Sequence, residues 1–299
     1  GRDEQKEQSI RSTIGYMLHS YKSSADNVAV ILNDEMISEN PNGGTGKGIF
    51  INALAKLKRV VVIDGKTFDF SKSFPYQTVS ADTHILVFDD VKKNFNFEFL
   101  FSLITEGITL EKKNKDAIKL PIERSPKILI STNYAIRGEG NSFDRRKWDL
   151  EFTQYYSKDR TPEDEFGRLL FDDWGHSDWV KFDNYMLSCL RLYLKHGLVK
   201  SEFNNLSIRR FIAKTDFSFY EWVNEDGNLP KDIRIYKQEV FNDFCEQNPD
   251  TKKWLSQRRF SSWVDDFAQF SDYKITHGRD HRGRWVQFEE KPSKEGVTF

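Results

Sequence analysis

With only two cysteines in 299 residues, Cys189 and Cys245, the chain has no CxxC pair and no disulfide framework. Both read as reduced packing residues, which fits an expected cytoplasmic location. His84, His176, His277 and His281 show no ligand spacing with either cysteine, so no zinc site is expected. No apolar run approaches the ~20 residues that cross a bilayer, and no signal peptide is visible; no membrane partner is expected. An excess of one charge is missing too. Lys and Arg number 45 against 46 Asp and Glu, a net charge of −1. Any contact with nucleic acid must therefore come from local basic patches, not from a global field. No internal repeat, low-complexity tract or Ser-His-Asp arrangement stands out.

What remains is a chain 30% charged and 14% aromatic, long enough for one large soluble domain or two unequal ones. Gly1 ahead of a charged segment is compatible with an expression scar and with further chain upstream. Ile10, Ile14, Met17 and Leu18 have helical spacing, so residues 1–24 are expected to be an outer helix or a linker.

The stretch that organises the rest is Asn40-Pro41-Asn42-Gly43-Gly44-Thr45-Gly46-Lys47-Gly48. An apolar strand-like run precedes it, Val28-Ala29-Val30-Ile31-Leu32, and a helix-like run from Ile49 comes after it. Strand, glycine turn and helix start are what a polyphosphate requires. Backbone N–H groups turn inward together only where side chains are absent, and the helix N-terminus adds positive potential. Asn42, Gly43, Gly44, Thr45, Gly46, Lys47 and Gly48 are the candidate nucleotide-binding residues, with Lys47 placed to reach the terminal phosphates. Two positions depart from the usual P-loop pattern: Pro41 replaces the first glycine, and Gly48 replaces the metal-binding hydroxyl.

Downstream, Arg59-Val60-Val61-Val62-Ile63 predicts a buried strand, and His84-Ile85-Leu86-Val87-Phe88 predicts another ending in Asp89-Asp90. A buried parallel strand delivers carboxylates to the sheet edge where ligands bind. Asp89 is the candidate Mg²⁺ ligand and Asp90 the residue to orient or deprotonate an attacking water. Residues 95–106 look helical. Residues 108–120 alternate as a hairpin whose polar turn carries Lys112, Lys113 and Lys115, suited to a phosphate backbone. Residues 127–133 form a further buried strand ending in Asn133, placed to align a water. Beyond it stand Arg145 and Arg146, either of which could act on a nucleotide held by an adjacent subunit.

In this order, the loop with Lys47, Asp89-Asp90, the basic hairpin, Asn133 and Arg145-Arg146 resemble motifs A, B, B′ and C and the arginine finger of superfamily 3 helicases. The likeness is greatest to the helicase half of phage, plasmid and poxvirus-type primase–helicases. Residues 165–182, with Phe171-Asp172-Asp173-Trp174 and Trp179, resemble the segment just C-terminal to the ATPase core in those proteins. The resemblance covers roughly residues 25–200. It implies an AAA+-like α/β P-loop ATPase with a central, mostly parallel sheet, using ATP and Mg²⁺. It also implies a hexameric ring around single-stranded DNA, with the hairpin lining the pore, and is compatible with an N-terminal primase domain or partner. Gly48 departs from the family, leaving Thr45 or water to ligate the metal.

Residues 161–225 read as helices, including one from Ser207 to Val223, and the polar turn at 224–230 is the expected domain boundary. Residues 231–292 read as two helices and two strands around 278–283, a small α+β unit resembling the winged helix that often accompanies this ATPase. Arg258 and Arg259 at a helix start and Arg282 on the wing are its candidate DNA contacts. The expected function is an ATP-dependent replicative DNA helicase or translocase of phage or mobile-element type. The alternative is a nucleotide-binding, DNA-binding initiator or adaptor without efficient hydrolysis, which Gly48 favours. A motor acting on protein is a further rival, opposed by the hairpin lysines.

Overall fold

The computed structural model describes residues 2–23, 25, 27–35, 44–92, 95–134, 136, 138, 140–157, 159–201, 206–225 and 227–290. Two compact units divide the chain, Gly1–Asn205 and Leu206–Phe299.

The first unit runs α1 (Arg2–Leu18), β1 (Ala29–Asp34), α2 (Lys47–Ala55), β2 (Val60–Asp64), β3 (Ile85–Asp89), α3 (Phe101–Thr105), β4 (Gly107–Leu110), β5 (Ile118–Pro121), β6 (Lys127–Ser131), α4 (Asn141–Asp144), β7 (Lys147–Phe152), α5 (Pro162–Phe166) and α6 (His176–His196). Five strands form one sheet in the order β2-β3-β6-β1-β7, every pairing parallel. This is the P-loop ATPase-like α/β architecture. Strand residues alternate between two cores, as the pleat requires. Ala29, Ile31, Leu86, Phe88, Ile128 and Ile130 face a layer built from residues 95–110 and a cluster of phenylalanines. Val30, Leu32, Ile85, Val87, Leu129 and Leu150 face α1, α2 and α6. Each of these Val, Ile, Leu and Phe side chains contributes about 1.5–3 kcal/mol by leaving water.

Strand β7 gave no sequence signal because its charged residues are also buried. Lys147 Nζ pairs with Asp149 Oδ2 at 2.9 Å, so two of its charged positions satisfy each other. Helix α1 is part of this unit and not a linker. It crosses α6 at Gly15, where an added Cβ would stand 2.2 Å from the Cys189 carbonyl oxygen. Trp148 Nε1 donates to Thr13 Oγ1 at 2.9 Å, and the Tyr16 hydroxyl donates to Asn27 Oδ1 at 2.8 Å.

The second unit runs α7 (Leu206–Lys214), α8 (Phe217–Asn224), β8 (Ile235–Tyr236), α9 (Lys237–Gln247), α10 (Gln257–Phe270), β9 (Tyr273–Asp280) and β10 (Gly283–Glu290). Its antiparallel sheet has the order β8-β10-β9. The division between units falls before α7, earlier than the polar turn at 224–230. Phe211, Phe219, Trp222 and Val223 bury in one core with Phe244, Phe260 and Trp263, so α7 and α8 belong to the C-terminal unit. The expected single helix over 207–223 is two, because the Asp216 side chain accepts from the Ser218 N–H and starts a new helix. The hairpin strands run on to His281-Arg282, since Gly278 lets the Trp285 ring cross the facing strand.

Candidate functional site

Parallel pairing brings the C-terminal ends of β1, β6 and β3 to one edge, and with them the polar residues that end each apolar run. A cleft of about 520 Å³ lies there, lined by residues 44–49, Asp89, Asp90, residues 131–133, Tyr156, Ser157, Thr161 and Pro162. It gathers Gly44, Thr45, Gly46, Lys47, Gly48, Asp89, Asp90 and Asn133 from separate stretches of sequence. Asn42 and Gly43 lie outside the described residues.

Gly44 and Gly46 have φ of 94° and 99°, backbone that a side chain would strain. Gly46 is the N-cap of α2, and Lys47 is the first helical residue. Lys47 extends across the sheet edge. Its Nζ pairs with Asp34 Oδ1 at 2.7 Å, donates to Asn133 Oδ1, and lies 3.4 Å from the Thr132 carbonyl oxygen. Thr45 Oγ1 donates to the same Asp34 oxygen at 2.5 Å. That hydroxyl, the expected substitute for the one missing at Gly48, is therefore turned toward Asp34. At Gly48 itself an added Cβ would meet nothing within 4 Å.

The two acids are held by one hydroxyl. Ser131 Oγ donates to Asp89 Oδ1 and accepts from the Asp90 N–H at 2.8 Å. Asp90 has a φ of 53°, the left-handed region, so β3 turns sharply as it ends. Its carboxylate meets Lys66 Nζ at 2.5 Å, and that contact holds the Lys66 ammonium above the usual lysine range. Asp34, Ser131 and Lys66 were not singled out from sequence. Ser131 is legible in retrospect as the residue two before Asn133 on the same strand face, but Asp34 and Lys66 depend on strand order.

Other candidate residues lie elsewhere. Arg145 and Arg146 precede β7, and Ala29 pairs with Lys147 in the register, so both sit at the opposite edge of the sheet. A six-residue strand separates them from the cleft, about 20 Å. Arg145 is exposed. Arg146 packs 4.6 Å over the Phe101 ring and donates to the Ser142 carbonyl at 2.7 Å; burial lowers its pKa from the ordinary value. Lys112 is half-buried in the β4–β5 turn, while Lys113 and Lys115 are exposed. In the second unit Arg258 and Arg259 are exposed in the first turn of α10, with Arg259 over the Trp254 ring at 5.2 Å. Arg282 pairs with Glu239 at 2.9 Å and lies over the Tyr236 ring, so its guanidinium is already engaged.

Among the described residues no three His, Cys, Asp or Glu side chains cluster as a metal site. A cation at Asp89 would take its other ligands from phosphate and water. No helix among these residues is long and apolar enough to cross a membrane.

Residues 40–146, which include the loop, both acids and Asn133, match a family described as a family of unknown function (DUF5906). No curated protein matches the sequence. Among solved structures, the apo A form of the NrS-1 C-terminal region has a TM-score of 0.41 at 14% identity, over 97% of this chain and 76% of that one. Another structure of the region gives 0.34 at 18% identity, over 68% of this chain; the present chain spans 47% of its length. The JCV helicase gives 0.32 at 14% identity, over 65% and 53% of the two chains. The fold of this protein is established by its own strand order and register.

Proposed function

We propose that the protein is an ATP-dependent motor on single-stranded DNA, a helicase or translocase of phage or mobile-element type. The observation that carries this reading is the convergence of Lys47, Asp89, Asp90 and Asn133 in one cleft. The site suits a nucleoside triphosphate. The left-handed glycines let a phosphate chain approach the backbone at the start of α2, where N–H groups and helix dipole favour an anion. When bound, Mg²⁺ would neutralise charge on the β- and γ-phosphates. Asp89, fixed by Ser131, is the residue to hold it. Lys47 would exchange Asp34 for phosphate, while Asp90 and Asn133 would orient the water.

Arg145 is the better placed of the two arginines to reach a neighbouring subunit's nucleotide in a ring, being exposed and remote from its own cleft. Lys113 and Lys115 would grip DNA phosphates at the hairpin tip, with Lys112 supporting the turn. In the second unit, the order helix, short strand, two helices and hairpin supports a winged-helix reading, with Arg258 and Arg259 as its phosphate contacts.

The test is ATP hydrolysis with and without single-stranded DNA, in the wild type, Lys47→Ala and Asp90→Asn. DNA-stimulated turnover lost in both variants is expected. Tight ATP binding without turnover under every DNA condition, at concentrations that allow assembly, would overturn the motor. That result would favour a nucleotide-binding initiator or adaptor, a reading supported by Gly48 and by the commitment of Thr45 to Asp34.

A further inference from the structure

Strand order gives the cleft a direction. From β1, which feeds the glycine loop, β6 and β3 lie on one side and β7 on the other. Asn133, Asp89 and Asp90 occupy the first side, so a bound polyphosphate has its terminal phosphate there. Its nucleoside must then leave toward β7. The segment waiting on that side is the strap of residues 153–157 and 159–162, which no motif in the sequence singles out.

The strap is braced from behind. Ser157 N donates to the Arg160 carbonyl at 2.9 Å, closing a tight loop. The Arg160 guanidinium lies 4.0 Å over the Tyr155 ring and 3.5 Å from Glu165 Oε2. Tyr155 in turn meets Tyr156 edge to face, with centroids 5.0 Å apart and planes at 84°. Thr161 caps α5 through a reciprocal pair with Asp164. Against this brace Tyr156 lines the cleft beside the glycine loop: a Cβ at Gly44 would stand 3.9 Å from the Tyr156 carbonyl oxygen.

The polar side chains of Ser157 and Thr161 make bonds within the strap. Ser157 Oγ accepts from the Asp159 N–H at 3.2 Å, and Thr161 Oγ1 is 2.7 Å from Asp164 Oδ2. What the strap contributes to the lining of the cleft is Tyr156 and Pro162, with few side-chain groups to read the edge of a base. Resting on the reading of the cleft as a triphosphate site, we propose that Tyr156 is the platform on which the nucleobase stacks, and that the site accepts purines by their faces with little discrimination between adenine and guanine. Stacking favours the larger ring system and is indifferent to edge chemistry.

The test is equilibrium binding, by calorimetry, of ATP, GTP, CTP and inorganic tripolyphosphate to the wild type, Tyr156→Ala and Tyr156→Phe. ATP and GTP are expected to bind within about threefold of each other, and CTP more weakly. Tyr156→Ala should weaken ATP by about tenfold while leaving tripolyphosphate unchanged, and Tyr156→Phe should restore ATP binding. Equal weakening of ATP and tripolyphosphate in Tyr156→Ala would overturn the proposal, because the residue would then be shaping the loop. A large preference of the wild type for ATP over GTP would overturn face-only reading. Failure of the wild type to bind tripolyphosphate at all would remove the triphosphate site itself, a pattern distinct from a loss confined to the base.

Discussion

Lys47 is paired with Asp34: the ammonium and the carboxylate stand 2.7 Å apart, and the Asp34 side chain is only 6% exposed. A phosphate would have to take the lysine away from this carboxylate, and would then sit beside a second negative charge. Asp34→Asn is therefore expected to move two quantities in opposite directions. Without nucleotide the variant loses stability, by up to about 3 kcal/mol, because Lys47 keeps its burial and loses its counter-ion. Affinity for nucleoside triphosphate rises about three- to tenfold. Thermal denaturation and calorimetric titration check the pair; a change of the same sign in both would rule out competition.

Gly48→Ser restores a hydroxyl where the loop lacks one. Nothing within 4 Å obstructs the new Cβ, and the position is helical, so stability should hold or rise by about 0.5 kcal/mol. The Mg²⁺ concentration needed for half-maximal ATP hydrolysis should fall severalfold. An unchanged Mg²⁺ requirement would show that the metal does not depend on this position.

The Lys66–Asp90 contact is largely exposed, with side chains 61% and 41% accessible, so removing it should leave stability nearly unchanged. Its effect on chemistry should be larger. Lys66→Met frees the Asp90 carboxylate from its ion pair, and turnover should rise about threefold with nucleotide affinity unchanged. A fall in turnover would instead make Lys66 a part of the machinery.

At the opposite edge of the sheet, Lys22 and Lys127 are 3% and 2% exposed and are held by oxygen acceptors, not carboxylates. Burial pushes both pKa values down to about 7 from 10.5. Between those limits the unfolded chain binds more protons than the folded one, so unfolding free energy rises with pH. The penalty is fully present below pH 7 and disappears as pH climbs toward 10.5, by at most about 1.4 kcal/mol per pH unit for each lysine. The melting temperature should therefore rise between pH 7 and 9, with a shallower slope in Lys127→Met. Parallel slopes in the two proteins would show that Lys127 is not responsible.

Gly15 permits the close crossing of α1 and α6. Gly15→Ala places a methyl group 2.2 Å from the Cys189 carbonyl and 2.6 Å from Tyr193 Cβ, neither of which is a flexible chain end. Separating the helices should cost about 1–3 kcal/mol, measured by chemical denaturation.

Much of the sheet was legible because β1, β3 and β6 are buried on both faces and read as uninterrupted apolar runs. Lys47, Asp89, Asp90 and Asn133 were legible as residues because each ends such a run or stands close behind one. Their partners were not. Asp34 on Lys47, Ser131 between the acids and Lys66 on Asp90 depend on which strands are neighbours, and that is settled by packing far along the chain. The charged strand β7 was invisible because Lys147 and Glu151 are buried along with Leu150, and the strap with Tyr156 can be placed only once β7 is known to flank β1. The break between α7 and α8 was local, signalled by the Thr215-Asp216 cap.

Strand β6 has a mechanical consequence. It is five residues long, begins just after the β4–β5 hairpin and the short turn Ile122–Arg124, and ends two residues before Asn133. Flanked by β1 and β3, it can yield along its own axis only by breaking hydrogen bonds on both sides at once. It is a stiff rod with a cationic tip at one end and the partner of Lys47 at the other. In the proposed motor, a pull on the hairpin would be delivered to Lys47 with little lost to stretching, and a shift at Lys47 would be felt at the tip.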